Sequence, residues 1–229
     1  MRAHLLLPAG VFLGLGGLGF WLAQRKARRV KYLQQEELDV SQARPGTCKV
    51  LGVVQQPAEP LKAPLSGAAC VFYRVLVQEL IGYGRNQRWA TIYQEARTTP
   101  FLLKDRKGPA TVRVDLTGAE VNLDAEGGSG DFSQLNAFLT ARGQTALLGR
   151  GELRANETTL SAGEKIFVLG AAVEPQPGAL TLQRGEGPFI VSDQDSGQIG
   201  YQANNAMYLH RFWGGTSTAM GLYCLWHSF

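Results

Sequence analysis

The stretch "CVFYRVLVQELI", residues 70–81, decides the fold class of this chain. Its β-branched and aromatic side chains recur with a period of two, so that Val71, Tyr73, Val75 and Val77 share one face. The opposite face is mixed, because it carries apolar side chains together with an arginine and a glutamine. A period of two is that of an extended chain. The stretch therefore predicts a β-strand with one buried face.

Segments on both sides of this strand carry similar signals. Further strands, rich in Val, Thr and aromatic residues, are predicted at 47–55, 88–98, 110–116, 119–123, 163–173, 179–184 and 188–192. Gly, Asp and Asn lie between several of them, where the chain must turn. One amphipathic helix is predicted over 131–143, with Asp131 as N-cap and Gly143 as stop. We therefore expect a mainly β domain, an antiparallel sandwich or barrel with one amphipathic helix.

Two apolar segments frame this domain. Residues 5–23 carry no charge and are close to the length that crosses the roughly 30 Å core of a bilayer. Residues 212–229 also lack a formal charge, although a C-terminal helix packed on the domain is the alternative there. A cleaved signal peptide is the alternative for the first segment. The predicted organisation is an N-terminal transmembrane helix at 1–24, a basic helical stalk and linker at 25–45, the β domain at 46–207 and a second transmembrane helix at 208–229.

The first apolar segment contains "GLGGLG", residues 14–19, which matches the dinucleotide-binding pattern G-x-G-x-x-G. That pattern binds a nucleotide only between a strand and a helix of a βαβ unit, and no such unit is predicted around it. We interpret these glycines as part of a membrane helix, which tolerates Gly. Gly10 and Gly14 form a small-x-x-x-small pair that predicts packing on a neighbouring helix, including self-association.

The positive charge of the chain is concentrated in one place. The formal net charge is +4, and five of the 23 basic residues lie in the short segment 25–31. Because the excess is local, nucleic acid is not predicted as a partner. Basic residues following a span favour the cytoplasmic side. We therefore expect an integral membrane protein, in a bacterial inner membrane, with its β domain in the cytoplasm.

The predicted domain offers few groups for catalysis or metal binding. All three histidines lie within or beside the apolar segments, and only Cys48 and Cys70 lie in the domain. A structural zinc site needs four Cys or His ligands, so none is predicted, and no catalytic residue or cofactor is predicted either. The two cysteines form a disulfide if the domain is exported or are small buried hydrophobes if it is cytoplasmic, and the odd total of three favours the second.

Three glutamates of the domain are candidates for acid and base groups. They are Glu152, Glu157 and Glu164. A charged and solvated face accounts for all three without any catalytic role.

Four stretches together carry a family resemblance. They are "PLKAPLSGAACVFYRVLVQEL", "FLLKDRKGPATVRV", "GELRANETTLSAGEKIFVLGAAVE" and "PFIVSD". In order and spacing they resemble the GIDE or BAM (beside-a-membrane) domain of MULAN-type mitochondrial E3 ubiquitin ligases and their bacterial relatives, over residues 45–195. The resemblance implies a domain between two membrane helices. The ligases transfer ubiquitin through a cytosolic RING, and because a RING needs eight zinc ligands we expect none in this chain.

These observations favour a membrane-anchored, non-catalytic protein-interaction or membrane-organisation module, with the membrane and an unknown protein as partners. Its contact surface is predicted on the loops 58–67 and 82–87, since binding residues concentrate on loops held by rigid sheets. The residues predicted for the first loop are Leu61, Lys62, Pro64, Leu65 and Ser66. The alternative is a subunit related to E3 ubiquitin ligases whose RING is supplied by another chain.

Overall fold

A computed structural model describes residues 6–123, 126–128, 132–144, 152–176, 178–194, 212, 215–220, 222–223 and 225–226. The chain divides into two compact units. Met1–Glu36 and Asp195–Phe229 form the first unit, and Glu37–Gln194 form the second.

The first unit contains one long helix, α1, which spans Leu6–Leu33 and has 28 residues. It runs without a break from the apolar segment into the basic segment, as the predicted helical stalk requires. In the part of the chain that the structure describes, no helix combines the length and the apolar character needed to cross a bilayer. The two predicted transmembrane helices therefore gain no support, and half of the second one, 208–229, lies outside the described residues.

The second unit is mainly β. Its strands are β1 (Glu37–Asp39), β2 (Gly46–Val54), β3 (Leu61–Lys62), β4 (Ala69–Cys70), β5 (Phe72–Ile81), β6 (Arg88–Thr98), β7 (Phe101–Lys104), β8 (Thr111–Val114), β9 (Glu120–Asn122), β10 (Glu126–Gly128), β11 (Leu153–Leu160), β12 (Lys165–Gln176), β13 (Ala179–Gln183) and β14 (Ile190–Ser192). Its helix α2 spans Phe132–Thr140. The predicted mainly β fold with one amphipathic helix is confirmed.

Five strands of this unit close into a barrel. β2 pairs with β7, β7 with β8, β8 with β13, β13 with β12, and β12 pairs back with β2. The pair β8 and β13 is parallel, as are β1 with β2 and β9 with β14, so the predicted all-antiparallel pairing is wrong at these three places. Counted among themselves, the barrel strands follow the order 1-2-3-5-4 and return to 1. This is the Greek-key order of the small OB barrels.

Barrel closure depends on a glycine in β2. β2 pairs with β12 along most of its length and with β7 at its end, so two strands approach it closely. A Cβ atom on Gly52 would lie 2.6 Å from Leu103 Cγ and 2.7 Å from the Lys104 carbonyl oxygen. Only a residue without a side chain fits at this position, which explains the glycine inside the apolar second half of β2.

A second, four-stranded sheet has the order β10-β11-β5-β6. β5 and β6 come from the chain between barrel strands β2 and β7, whereas β10 and β11 come from the chain between β8 and β12. The pairing of β11 with β5 therefore joins two separate insertions into the barrel sequence. One face of this sheet, with Tyr73, Val75 and Val77, forms a second hydrophobic core with Leu135 and Leu139 of α2.

Candidate functional site

The first predicted contact loop, 58–67, is built as a small hairpin. β3 pairs with β4, and the tight turn between them is closed by hydrogen bonds from Ala63 N to the Ala68 carbonyl and from Gly67 N to the Ala63 carbonyl, both 2.9 Å long. Gly67 has a φ of +72°, which a residue with a side chain adopts only at a cost. The loop is thus an ordered turn.

A buried carboxylate accepts hydrogen bonds from the turn of this hairpin. Glu157 of β11 is 7% exposed, and its two oxygens accept hydrogen bonds from Leu65 N at 2.8 Å and from Ser66 N at 2.9 Å. A carboxylate that accepts two backbone N–H bonds fixes both amides in one orientation. The predicted solvated position of Glu157 is therefore wrong, because this carboxylate supplies the acceptors that the turn amides lack.

The structure separates the five predicted residues of this loop into two groups. Leu61 and Leu65 pack against the second core, and Pro64 is half-buried. Lys62 and Ser66 are exposed. The leucines therefore have a packing role, and of these five residues only Lys62 and Ser66 are exposed to a partner.

We expect Glu157→Gln to loosen the hairpin without unfolding the domain. An amide side chain offers one oxygen as acceptor and brings two donors, so one of the two turn amides loses its partner, at about 1.5 kcal/mol. The Leu65 and Ser66 amides should then exchange their hydrogens about tenfold faster.

The matched control is Glu152→Gln, which removes the same charge from an exposed residue just before β11. Equal exchange rates at both amides in wild type and in Glu157→Gln would show that the carboxylate does not hold the turn.

The second predicted contact loop, 82–87, forms the tip of the β5–β6 hairpin. A short 3₁₀ turn spans Gly84–Asn86, and Asn86 N donates to the Tyr83 carbonyl at 3.1 Å. Tyr83 is 90% exposed, and Arg85 is exposed beside it. All six residues of this tip are exposed, whereas the first loop buries part of its length.

A polar cluster lies where α2 meets the second sheet. The Glu95 carboxylate accepts hydrogen bonds from Tyr73 Oη at 2.9 Å and Tyr93 Oη at 2.7 Å. It also pairs with Arg142 Nε at 2.9 Å and with Arg97 Nε at 2.7 Å. The Arg142 guanidinium lies 3.8 Å from the centre of the Phe138 ring.

The protonation states of this cluster are fixed by its contacts. Burial alone would raise the pKa of Glu95, but hydrogen bonds from Tyr93, Arg142 and Tyr73 outweigh it and lower that pKa to about 2. Burial, followed by the hydrogen bond to Glu95, raises the pKa of Tyr73 to about 12. At neutral pH the Glu95 carboxylate is ionised and the Tyr73 hydroxyl is neutral. The cluster therefore connects the helix to the sheet, and neither Glu95 nor Tyr73 has a pKa near neutrality, where a general base works.

A cavity of about 430 Å³ lies beside the turn between β7 and β8 and is lined in part by Asp39 and Asp105. Asp105 accepts hydrogen bonds from Lys107 N at 2.9 Å and Ser41 N at 3.0 Å, and these bonds lower its pKa to about 2. Its carboxylate therefore holds the turn between β7 and β8.

The cysteine side chains of the second unit are free thiols. Cys48 and Cys70 are both buried, in the barrel core and the second core respectively. Burial raises the pKa of each thiol, which lowers its reactivity as a nucleophile. Across the described residues, no group of three or more His, Cys, Asp or Glu side chains is arranged to hold a metal ion.

The geometry defines a barrel domain with an attached sheet, two loops of different exposure and a half-buried polar cluster. A sequence model of the GIDE family, described as E3 ubiquitin ligase, matches residues 77–221, which is more than half of the chain. The chain belongs to the GIDE family, and the predicted resemblance is confirmed. The match includes the β5–β6 tip and leaves the 58–67 loop outside it. No curated protein and no solved structure matches the chain significantly.

Proposed function

We propose that this chain is a membrane-anchored member of the GIDE family that serves as a non-catalytic interaction module. The observation that carries the anchor is the surface of α1, where Val11, Leu15 and Leu18 are 54%, 52% and 52% exposed. Apolar surface left in water costs about 25 cal/mol per Å². A bilayer around residues 5–23 removes that cost, and the basic segment 25–31 suits its cytoplasmic face.

Two observations support a role in binding over a role in catalysis. Both thiols of the second unit are buried with raised pKa values. The carboxylates of Glu95 and Glu157 are engaged by hydrogen bonds that hold the fold. The protein partner in this proposal contacts the exposed side of the first loop, through Lys62 and Ser66.

The anchor is tested on the full chain expressed in bacterial cells. We expect it to remain in the membrane pellet after extraction with alkaline carbonate, and we expect Leu15→Asp with Leu18→Asp to release it. Release of the unchanged chain by carbonate would contradict the anchor.

The side of the membrane on which the second unit lies is tested in the same cells with the variant Lys107→Cys, because the Lys107 side chain is 80% exposed. The variant also carries Cys224→Ser, which removes one native thiol. An impermeant thiol reagent should label the introduced cysteine only after lysis. Labelling in intact cells would place the domain on the outer side.

α1 also offers a surface for self-association. A Cβ atom added at Gly10 or Gly14 would meet no heavy atom within 4 Å, so both positions are open to a neighbouring helix. In this proposal two anchors pack through these glycines. Cross-linking in membranes should detect the dimer and should lose it in Gly10→Leu with Gly14→Leu.

The second candidate function follows from the family description as E3 ubiquitin ligase. In that case the chain is a subunit that positions a RING supplied by another protein. Purification of the full chain from membranes should then yield a RING protein in fixed proportion. Ubiquitin discharge should depend on that protein. If the chain is only a binding module, no such dependence is expected.

A further inference from the structure

The tip of the β5–β6 hairpin, residues 82–87, has a backbone conformation that requires glycine at two positions. Gly82 has a φ of +94°, and a Cβ atom there would collide with the Asn86 carbonyl oxygen. Gly84 has a φ of +58° and opens the short 3₁₀ turn. Two glycines in the left-handed region thus form this turn, and the residue between them, Tyr83, is exposed.

The side chains of this tip form an aromatic and basic surface. Tyr83 has the largest exposed fraction among the large hydrophobic side chains of the described residues, and Arg85 and Arg88 are exposed near it. At the base of the tip the Arg154 guanidinium lies 4.2 Å from the centre of the Trp89 ring. Arg154 Nε also donates to Gln78 Oε1 at 2.7 Å, which fixes the guanidinium over the ring.

The acidic residues near this end of the sheet do not cancel that charge. Glu79 is fully buried in β5. Glu152 is exposed, and its carbonyl accepts a hydrogen bond from Leu80 N, which places it beside the base of the tip. Among the described residues at this end of the sheet, three arginines outnumber the exposed Glu152 and the buried Glu79, so the surface is net positive.

We infer that this tip docks on the anionic headgroups of a lipid surface. Tyrosine is suited to the boundary between water and hydrocarbon, because its ring is apolar and its hydroxyl is polar. Arginine forms paired hydrogen bonds with phosphate groups. Basic residues near an anionic membrane surface are attracted to it by its negative potential.

This inference rests on the proposed membrane anchor and names its lipid partner. Only residues 34–36 separate the end of α1 from the start of β1, a tether of about 14 Å at full extension. With α1 anchored in a bilayer, these residues keep the second unit tethered to the membrane. The tip carries the chemistry for that contact, whereas the first loop is held against the second core.

The test uses the full chain reconstituted in nanodiscs, with neutral phosphatidylcholine alone or mixed with anionic phosphatidylglycerol. The amides of residues 82–88 should exchange hydrogen about tenfold more slowly in the anionic discs. Tyr83→Ser should reduce this protection, and Arg85→Glu with Arg88→Glu should abolish it. The control is Lys104→Glu with Lys165→Glu, which makes the same change of charge at exposed positions on the barrel and should retain the protection.

The outcomes separate the tip from the anchor. If the chain resists carbonate extraction but the tip exchanges equally in both kinds of disc, lipid docking is wrong and the anchor stands. Protection that appears only when membrane proteins are added would assign the tip to a protein partner and also overturn lipid docking. If carbonate releases the chain, the proposed anchor is wrong. Lipid docking then stands only if anionic vesicles added to the free chain still protect the tip amides from hydrogen exchange.

Discussion

Replacing Leu103 by alanine is expected to lower the free energy of unfolding by about 3 kcal/mol, which is the largest effect of any substitution proposed for this chain. Leu103 of β7 is fully buried and lies in the barrel core. Its side chain also packs at the point where β7 approaches Gly52 of β2. Truncation removes buried apolar surface and leaves a cavity that closed strands on both sides cannot fill.

The neighbouring residue supplies a matched control. Leu102 lies on the same strand but points outward and is 46% exposed. Leu102→Ala deletes the same atoms and should change stability by less than about 0.5 kcal/mol.

Hydrogen exchange of the β2 and β12 amides measures the barrel directly, because these strands pair across the closure. We expect faster exchange in Leu103→Ala alone. Equal effects of the two substitutions would show that the barrel interior is not packed as described.

Replacing Glu95 by glutamine is expected to destabilise the contact between α2 and the second sheet by about 2 kcal/mol. The carboxylate accepts from two tyrosines and pairs with two arginines, and a neutral amide cannot satisfy all four. Arg142 then keeps its charge without its carboxylate partner, at a cost typical of a broken ion pair. Glu186→Gln, which removes a charge at an exposed position, is the control and should be neutral.

The same cluster makes stability depend on pH at both extremes. The pKa of Glu95 is about 2 in the folded chain against a usual value of 4.5. The stabilisation is therefore complete above pH 4.5 and is lost as the pH falls towards 2. The pKa of Tyr73 is raised from 10 to about 12, so its contribution is complete below pH 10 and is lost as the pH rises towards 12.

Urea unfolding of the full chain at a series of pH values, monitored by the exchange of α2 amides, checks both slopes. The acid slope should be smaller in Glu95→Gln, and the alkaline slope should be smaller in Tyr73→Phe. An unchanged acid slope in Glu95→Gln would assign the acid sensitivity to other carboxylates, such as Asp105, whose pKa is also about 2.

Strands with regular alternation were predictable from the sequence, because burial of one face imposes a period of two. β5 shows this clearly, since its inward residues Tyr73, Val75 and Val77 all lie in the second core. The exposed tip at 82–87 was also predictable as a loop, because two glycines flank Tyr83. That Tyr83 is 90% exposed follows from the backbone at those glycines.

β11 was not predicted, and the reason is local. Its middle residues, "NET" at 156–158, are polar and resemble a loop. Glu157 nevertheless occupies an inward position two residues after the buried Ala155. Its burial depends on backbone amides more than 90 residues away in the chain, at Leu65 and Ser66. No local pattern can reveal such a partner.

Barrel closure was not predictable for a similar reason. The parallel pair of β8 and β13 aligns Arg113 with Thr181 and Val114 with Leu182, across a long intervening segment. Parallel pairing needs a long crossover, whereas the short turns along the sequence favour antiparallel neighbours.

The second sheet joins two separate insertions into the barrel sequence, and this pairing affects how the domain can evolve. β5 and β11 belong to different interruptions of the barrel sequence, yet they share a ladder from Phe72 with Leu160 to Glu79 with Leu153. Loss of either insertion exposes the edge and the inward face of the other, and the Glu157 carboxylate would lose the turn amides that it holds. The two insertions are therefore expected to be inherited or lost together, independently of the barrel strands.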